Sequence, residues 1–117
     1  MKGNKVLNLS KEYAVLVIEV IKKLSKKESN MSNQLIRSAT SIGANIHESV
    51  YAQGKADFLS KLKIALKECH ESEYWLELLY KSQSINESDY THLKNKCGTI
   101  RRILIASCNT IKNNKES

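Results

Sequence analysis

Histidines, carboxylates and cysteines are the side chains of this chain that could bind a metal or catalyse a reaction. Di-metal sites in helical bundles use a Glu-x-x-His pair on two helices and a further glutamate on each of the other two. Neither His47 nor His70 has a glutamate three residues before it, and His92 has only Asp89, in the first turn of its predicted helix. We therefore expect no metal site, and the Cys-x-x-Cys-His motif of haem attachment is missing as well.

The acidic run over 68–77 surrounds His70 and contains four glutamates. Such a composition could serve acid–base catalysis, but at 100° per residue a helix places Glu71 and Glu73 about 200° apart. A solvated, charged helix face is the favoured interpretation. The chain also has no phosphate-binding glycine loop, no nucleophile elbow and no dinucleotide fingerprint. The sequence therefore predicts a protein that is not an enzyme and needs no cofactor.

The three cysteines, Cys69, Cys97 and Cys108, lie in apolar helical stretches. They lack the Cys-x-x-Cys spacing of zinc and redox sites. We expect reduced thiols that pack as small apolar side chains in a reducing compartment.

Basic residues are the stronger functional signal, because 19 lysines and arginines face 12 acidic residues and give a net charge of +7. A positive potential on so small a domain favours an anionic partner such as nucleic acid. Ordinary solubilising charge, or salt bridges between subunits, explains the same excess, and both interpretations stay open. The candidate contacts to a nucleic-acid backbone are Lys55, Lys63, Lys67, Arg101 and Arg102.

Helices must position all of these side chains, because the chain has no proline and only four glycines. Apolar residues that recur every three or four positions predict helices over about 10–27, 32–51, 55–82 and 86–112. Ser32 or Asn33 is expected to cap the second helix, and residues 113–117 are expected to fray. Short connections make successive helices antiparallel. The predicted fold over 1–117 is a single all-α domain, an up-down-up-down four-helix bundle.

The beginning of the chain lacks the apolar core and cleavage site of a signal peptide. The most apolar run, over 13–21, is too short to span a bilayer. We expect a cytoplasmic protein without a membrane partner.

A row of small and polar side chains lies beside the apolar stripe of the second predicted helix. Such a row lets another helix approach closely and can form hydrogen bonds across the interface. We expect Asn45 and Glu48 to be at least partly buried and bonded to another helix. Arg37 is expected to pair with Glu48 or with a glutamate of the third helix. This polar stripe consists of Arg37, Ser38, Ser41, Asn45 and Glu48.

The third predicted helix is apolar on more than one side. Its apolar residues alternate at spacings of four and three without interruption, as in a coiled coil. Leu59, Leu66 and Trp75 add apolar area beside that stripe. A second contact surface is therefore expected, inside the bundle or between subunits.

Two stretches of the chain resemble the signature of the bacterial four helix bundle proteins that are also called 23S rRNA-intervening sequence proteins. The first runs over 33–48 and reproduces the family's Arg-Ser-x-x-Ser-Ile-x-x-Asn-Ile-x-Glu pattern from Arg37 to Glu48; the second runs over 55–79. The resemblance extends over about residues 10–111. Ser49 departs from the alanine or glycine of many relatives, but it is also small. Most members of that family have no assigned activity, and some are encoded in sequences that interrupt large ribosomal RNA genes.

A related branch, the accessory variability determinant of diversity-generating retroelements, is a basic, barrel-shaped homopentamer that binds nucleic acid and a reverse transcriptase. This similarity implies a ring-like homo-oligomer here, a pentamer, that binds RNA or DNA. The alternative is a protein-interaction scaffold for a polypeptide encoded nearby, with no nucleic-acid role.

Overall fold

Four long α-helices make up the protein, whose computed structural model describes residues 3–116 and the side chains of residues 5–113. The helices form a ring in which each packs against the two beside it, in the order α1, α2, α3, α4. With connections this short, the arrangement confirms the predicted antiparallel four-helix bundle. The bundle measures 50 × 20 × 19 Å. The helices are α1 (Gly3–Ile21), α2 (Ser29–Val50), α3 (Lys55–Lys81) and α4 (Glu87–Glu116).

Helix α1 begins about seven residues earlier than predicted, at Gly3 rather than near residue 10. Val6 and Ser10 are buried and continue the stripe of Tyr13 and Val17 towards the beginning of the chain. Since one continuous stripe faces the core, one continuous helix forms.

Helix α1 also ends early, at Ile21, so that the lysine-rich segment after it is not α-helical. Ser25 starts a single 3-10 turn there, because its Oγ accepts a hydrogen bond from the backbone N–H of Lys27 at 3.2 Å. The same Oγ donates to a carboxylate oxygen of Glu28 at 2.9 Å. Serine side chains compete in this way with helical backbone bonds, and the α-helix stops before residue 25.

Helix α2 begins at Ser29, which corrects the expected cap at Ser32 or Asn33. Ser32 is buried within the first turns of the helix. The 3-10 turn leads directly into the helix, since Ser29, the residue after the turn, already has helical backbone angles. The start of the helix is thus set by the preceding turn and not by a side-chain cap.

Helix α4 begins after Asn86, whose Oδ1 accepts a hydrogen bond from the backbone N–H of Asp89 at 2.7 Å and so caps the helix. It continues to Glu116, so residues 113–116 are helical where a frayed tail was expected. Ser117 lies outside the described residues. None of the helices within residues 3–116 has an apolar stretch long enough to cross a membrane.

A layer of polar side chains crosses the apolar core. Tyr13 of α1 and Ser72 of α3 are both fully buried and share a hydrogen bond of 2.5 Å, which joins helices on opposite corners of the bundle. Cys97 Sγ of α4 donates to the backbone carbonyl of Cys69 in α3 at 3.6 Å.

Burial raises the pKa of Tyr13 well above its ordinary value, and the neighbouring Cys97 adds a smaller effect in the same direction. The hydrogen bond with Cys97 and burial raise the pKa of the Cys69 thiol. At neutral pH Tyr13 and Cys69 therefore carry no charge.

Replacing Tyr13 with Phe should lower the free energy of unfolding by about 1–2 kcal/mol, because it removes the buried hydrogen bond and leaves the Ser72 hydroxyl without its partner. Ser72→Ala should cost a similar amount. The double variant Y13F/S72A should lose clearly less than the sum of the two, as urea denaturation would measure. Additive losses would contradict a direct interaction.

Candidate nucleic-acid interface

Lysines and apolar residues share the outward side of the first half of α3. Lys63 and Lys67 are both exposed, one helical turn apart, with Ile64 between them 39% exposed. None of the ion pairs formed within residues 5–113 involves either lysine. Both ammonium groups are thus available to an external anion. The row forms a shallow depression lined by Ala56, Leu59, Ser60, Lys63, Ile64 and Lys67.

Arg102 lies on the neighbouring helix α4 and is exposed. Its Nη2 donates to Thr99 Oγ1 in the preceding turn at 3.3 Å, which orients the guanidinium along the surface of α4. Burial raises the pKa of the Cys108 thiol in α4, and the positive charge of Lys63 partly offsets this rise. Lys63 therefore lies close to α4. Lys55 is exposed at the first position of α3. We call these four residues the α3–α4 basic face: Lys55, Lys63, Lys67 and Arg102.

Arg101 differs from the other candidate contacts, because a carboxylate of the bundle already binds it. Its Nε donates to Glu73 Oε1 of α3 at 2.9 Å, and the two side chains are only 28% and 22% exposed. The pair ties α4 to α3 in a partly buried position. Arg101 is therefore not among the cations that are free to bind an anion.

The polar stripe of α2 agrees only in part with the burial and the hydrogen bonds expected for Asn45 and Glu48. Glu48 is exposed and forms an ion pair with Lys61 of α3 at 3.2 Å. Asn45 is half-buried, and its Nδ2 donates to the carbonyl of Ser41 in its own helix at 2.8 Å. Ser38 is buried, and it too bonds within α2. The expectation is thus met in part for each residue: Asn45 is partly buried but bonds within α2, whereas Glu48 bonds to α3 but is exposed.

Arg37 pairs with the third helix, and this confirms one of the two pairings expected for it. Its Nη1 lies 3.6 Å from Glu68 Oε2, and its Nη2 contacts the carboxylate of Glu71. Trp75 follows one turn later on α3 with its ring edge-on to Tyr74, at 5.0 Å between centroids. The Nε1–H of Trp75 is buried and donates to no acceptor within the described side chains. This side of α3 is therefore tied to α2 by the ion pairs of Arg37.

Most glutamates of the acidic run of α3 form ion pairs with arginines. Two of its glutamates bind Arg37 and a third binds Arg101. His47, His70 and His92 are exposed on three different helices. Within the part of the chain that the structure describes, no three side chains of His, Cys, Asp or Glu converge as a metal ion would require.

An exposed aromatic pair lies where α2 ends. The rings of His47 and Tyr51 are 5.4 Å apart between centroids and tilted by 58°, and Tyr51 is 73% exposed. Gly54, at a φ of +103° that favours glycine, then leads the chain into α3. Sequence reasoning ends the second helix near residue 51 and gives Tyr51 no role. The signal that identifies it is an aromatic residue that directly follows the helix and lies off its buried stripe.

Comparisons with known proteins agree with this fold. A family model described as 23S rRNA-intervening sequence protein matches residues 2–106. The chain is similar to the crystal structure of a protein of unknown function from the S23 ribosomal protein family of Bacteroides thetaiotaomicron, with a TM-score of 0.87 and 44% identity. That similarity covers 93% of this chain and 99% of the other. No functionally curated protein matches the chain significantly.

Replacing Arg101 with Ala should lower the free energy of unfolding by about 1 kcal/mol, because it removes a charge-assisted hydrogen bond at a partly buried position. Arg102→Ala, next to it but exposed, is the matched control and should change stability by less than about 0.5 kcal/mol. Thermal and urea denaturation of both variants would measure the difference. Equal losses would show that the Glu73 pair contributes nothing.

Proposed function

The chain belongs to the family of 23S rRNA-intervening sequence proteins, and from this membership we propose that it is a non-enzymatic, oligomeric, cytoplasmic protein that binds the backbone of nucleic acid. The observation that carries the proposal is the α3–α4 basic face, where exposed cations without ion-pair partners in residues 5–113 occur in a chain with a net charge of +7. Phosphates are the anions that such a surface suits best.

The basic face suits backbone contact rather than base reading. Lysine ammonium groups act as point charges on flexible stems, and Arg102 can offer a forked contact to a phosphate. Each phosphate that is neutralised releases condensed counterions, so affinity should fall log-linearly with salt. Contacts of this kind position a protein on RNA or DNA without specifying sequence.

A homo-oligomer would multiply this charge. By similarity to the accessory variability determinant we propose a ring of five copies, which together would carry about +35. An apolar side chain on the outside of the second half of α3 supports such contacts, since Tyr74 is 55% exposed. Several weak phosphate contacts on one particle bind collectively more tightly than on one subunit. Light scattering coupled to gel filtration would give the subunit number.

A protein-interaction scaffold is the second candidate, and exposed apolar side chains on other helices favour it. Val15 on α1 and Val50 on α2 are each 53% exposed, and Ile105 on α4 is 38% exposed. Co-purification from the native host, with and without nuclease, separates the two functions. A protein partner that survives nuclease treatment supports the scaffold, whereas bound nucleic acid supports the basic face.

Reversing three charges of the basic face in the variant K63E/K67E/R102E should reduce the affinity for generic RNA and DNA by more than tenfold at low salt. The slope of log affinity against log salt should also fall by about two to three, because about three phosphate contacts are lost. Anisotropy of labelled oligonucleotides, titrated from low to physiological salt, would measure both quantities.

The matched control is K22E/K26E/K27E, which changes the net charge equally with exposed lysines at the opposite end of the bundle. This control should lose less affinity than K63E/K67E/R102E and should keep most of the slope of log affinity against log salt. Equal losses in the two variants would reject the proposed location, and unchanged binding in K63E/K67E/R102E would do the same. If the unaltered protein fails to bind even at low salt, the nucleic-acid function itself is rejected.

A further inference from the structure

An aromatic surface at the α2–α3 connection extends the basic face towards the end of the bundle. We propose that Tyr51, supported by His47, stacks against unpaired nucleobases, so that the protein prefers single-stranded to duplex nucleic acid. This inference rests on the proposed binding of nucleic acid and names the form of nucleic acid that is bound.

Tyr51 has no packing role that explains its position. Among the large hydrophobic side chains of residues 5–113 it is the most exposed, at 73%, and it follows Val50, which is 53% exposed. Its only aromatic neighbour within the described side chains is the ring of His47, which is also exposed and is tilted by 58° against it. Exposed aromatic faces of this kind bind bases regardless of sequence, because every base presents a flat π-face.

Beside the two rings lies an open depression whose charges disfavour phosphate. Glu48 and Lys61 neutralise each other in their 3.2 Å ion pair. The carboxylate of Asp57 remains, and it accepts a hydrogen bond from the backbone N–H of Gln53 at 3.1 Å, which holds the connection in place. A base can enter such a site, whereas a phosphate would meet the Asp57 carboxylate. The lining residues are His47, Glu48, Tyr51, Gln53, Asp57 and Lys61.

This aromatic site and the lysine row share a border on α3. Asp57 and Lys61 line the aromatic site, and Ser60 and Ile64, each three residues further along α3, line the lysine row. A strand that crosses this border would place its phosphates near Lys63 and one base on Tyr51. A duplex cannot do so, because its base faces are stacked inside the helix and only its backbone is offered to the site.

The test compares the full-length protein with Tyr51→Ala and Tyr51→Phe. Anisotropy is measured with labelled RNA and DNA strands of one mixed sequence, each as a single strand and annealed to its complement. Tyr51→Ala should bind the single strands about tenfold more weakly, with duplex affinity unchanged within twofold. Tyr51→Phe should bind like the unaltered protein, because it keeps the ring.

The proposal is overturned if Tyr51→Ala binds single strands as the unaltered protein does, if it weakens single-strand and duplex binding equally, or if gel filtration shows a changed oligomer size. In each of these cases the basic face is judged separately, by the loss that K63E/K67E/R102E shows on both kinds of nucleic acid. Failure of the unaltered protein to bind any strand would overturn both proposals together.

Discussion

The hydrogen bond between Tyr13 and Ser72 is the constraint on which the arrangement of the bundle depends. It joins two helices that are not ring neighbours, and both of its partners are fully buried. Apolar contacts alone tolerate small rotations and shifts, whereas a buried hydroxyl without a partner costs free energy. Once Ser72 points inward, the rotation of α3 is set. Lys63 and Lys67 then lie outside, and the arginine-binding glutamates lie at the flanks.

The helix best predicted from sequence is α3, expected over 55–82 and found at Lys55–Lys81. Its apolar pattern is long, and Gly54 marks its beginning. The bounds of α1 were harder to predict, because the hydrogen bonds of Ser25 depend on a local turn that periodicity does not describe. Periodicity gives the direction of a side chain around its own helix. It does not show where a helix ends because a side chain forms a competing hydrogen bond with the backbone.

The candidate site shows the same limit at the level of contacts. Helical spacing correctly places Lys63 on an exposed surface, but it cannot show that Arg101 meets Glu73, because that depends on the register between two helices. Glu48 was expected to be partly buried because it lies next to the apolar stripe, yet it reaches the solvent edge and binds Lys61. Which charges remain free is therefore a property of the packed bundle, and the sequence alone gives only the candidates.

Trp75 is the single tryptophan of the chain, and its position makes it a natural optical reporter. Its indole N–H is buried, its ring packs edge-on with that of Tyr74, and it lies one helical turn after Glu71, which binds Arg37 of α2. Its emission therefore reports on the side of α3 that carries these ion pairs, which we call the α2–α3 seam, and not on the basic face or on Tyr51. A label-free spectrum can thus follow the opening of this seam, or its burial by another subunit, without disturbing the surface where nucleic acid is proposed to bind.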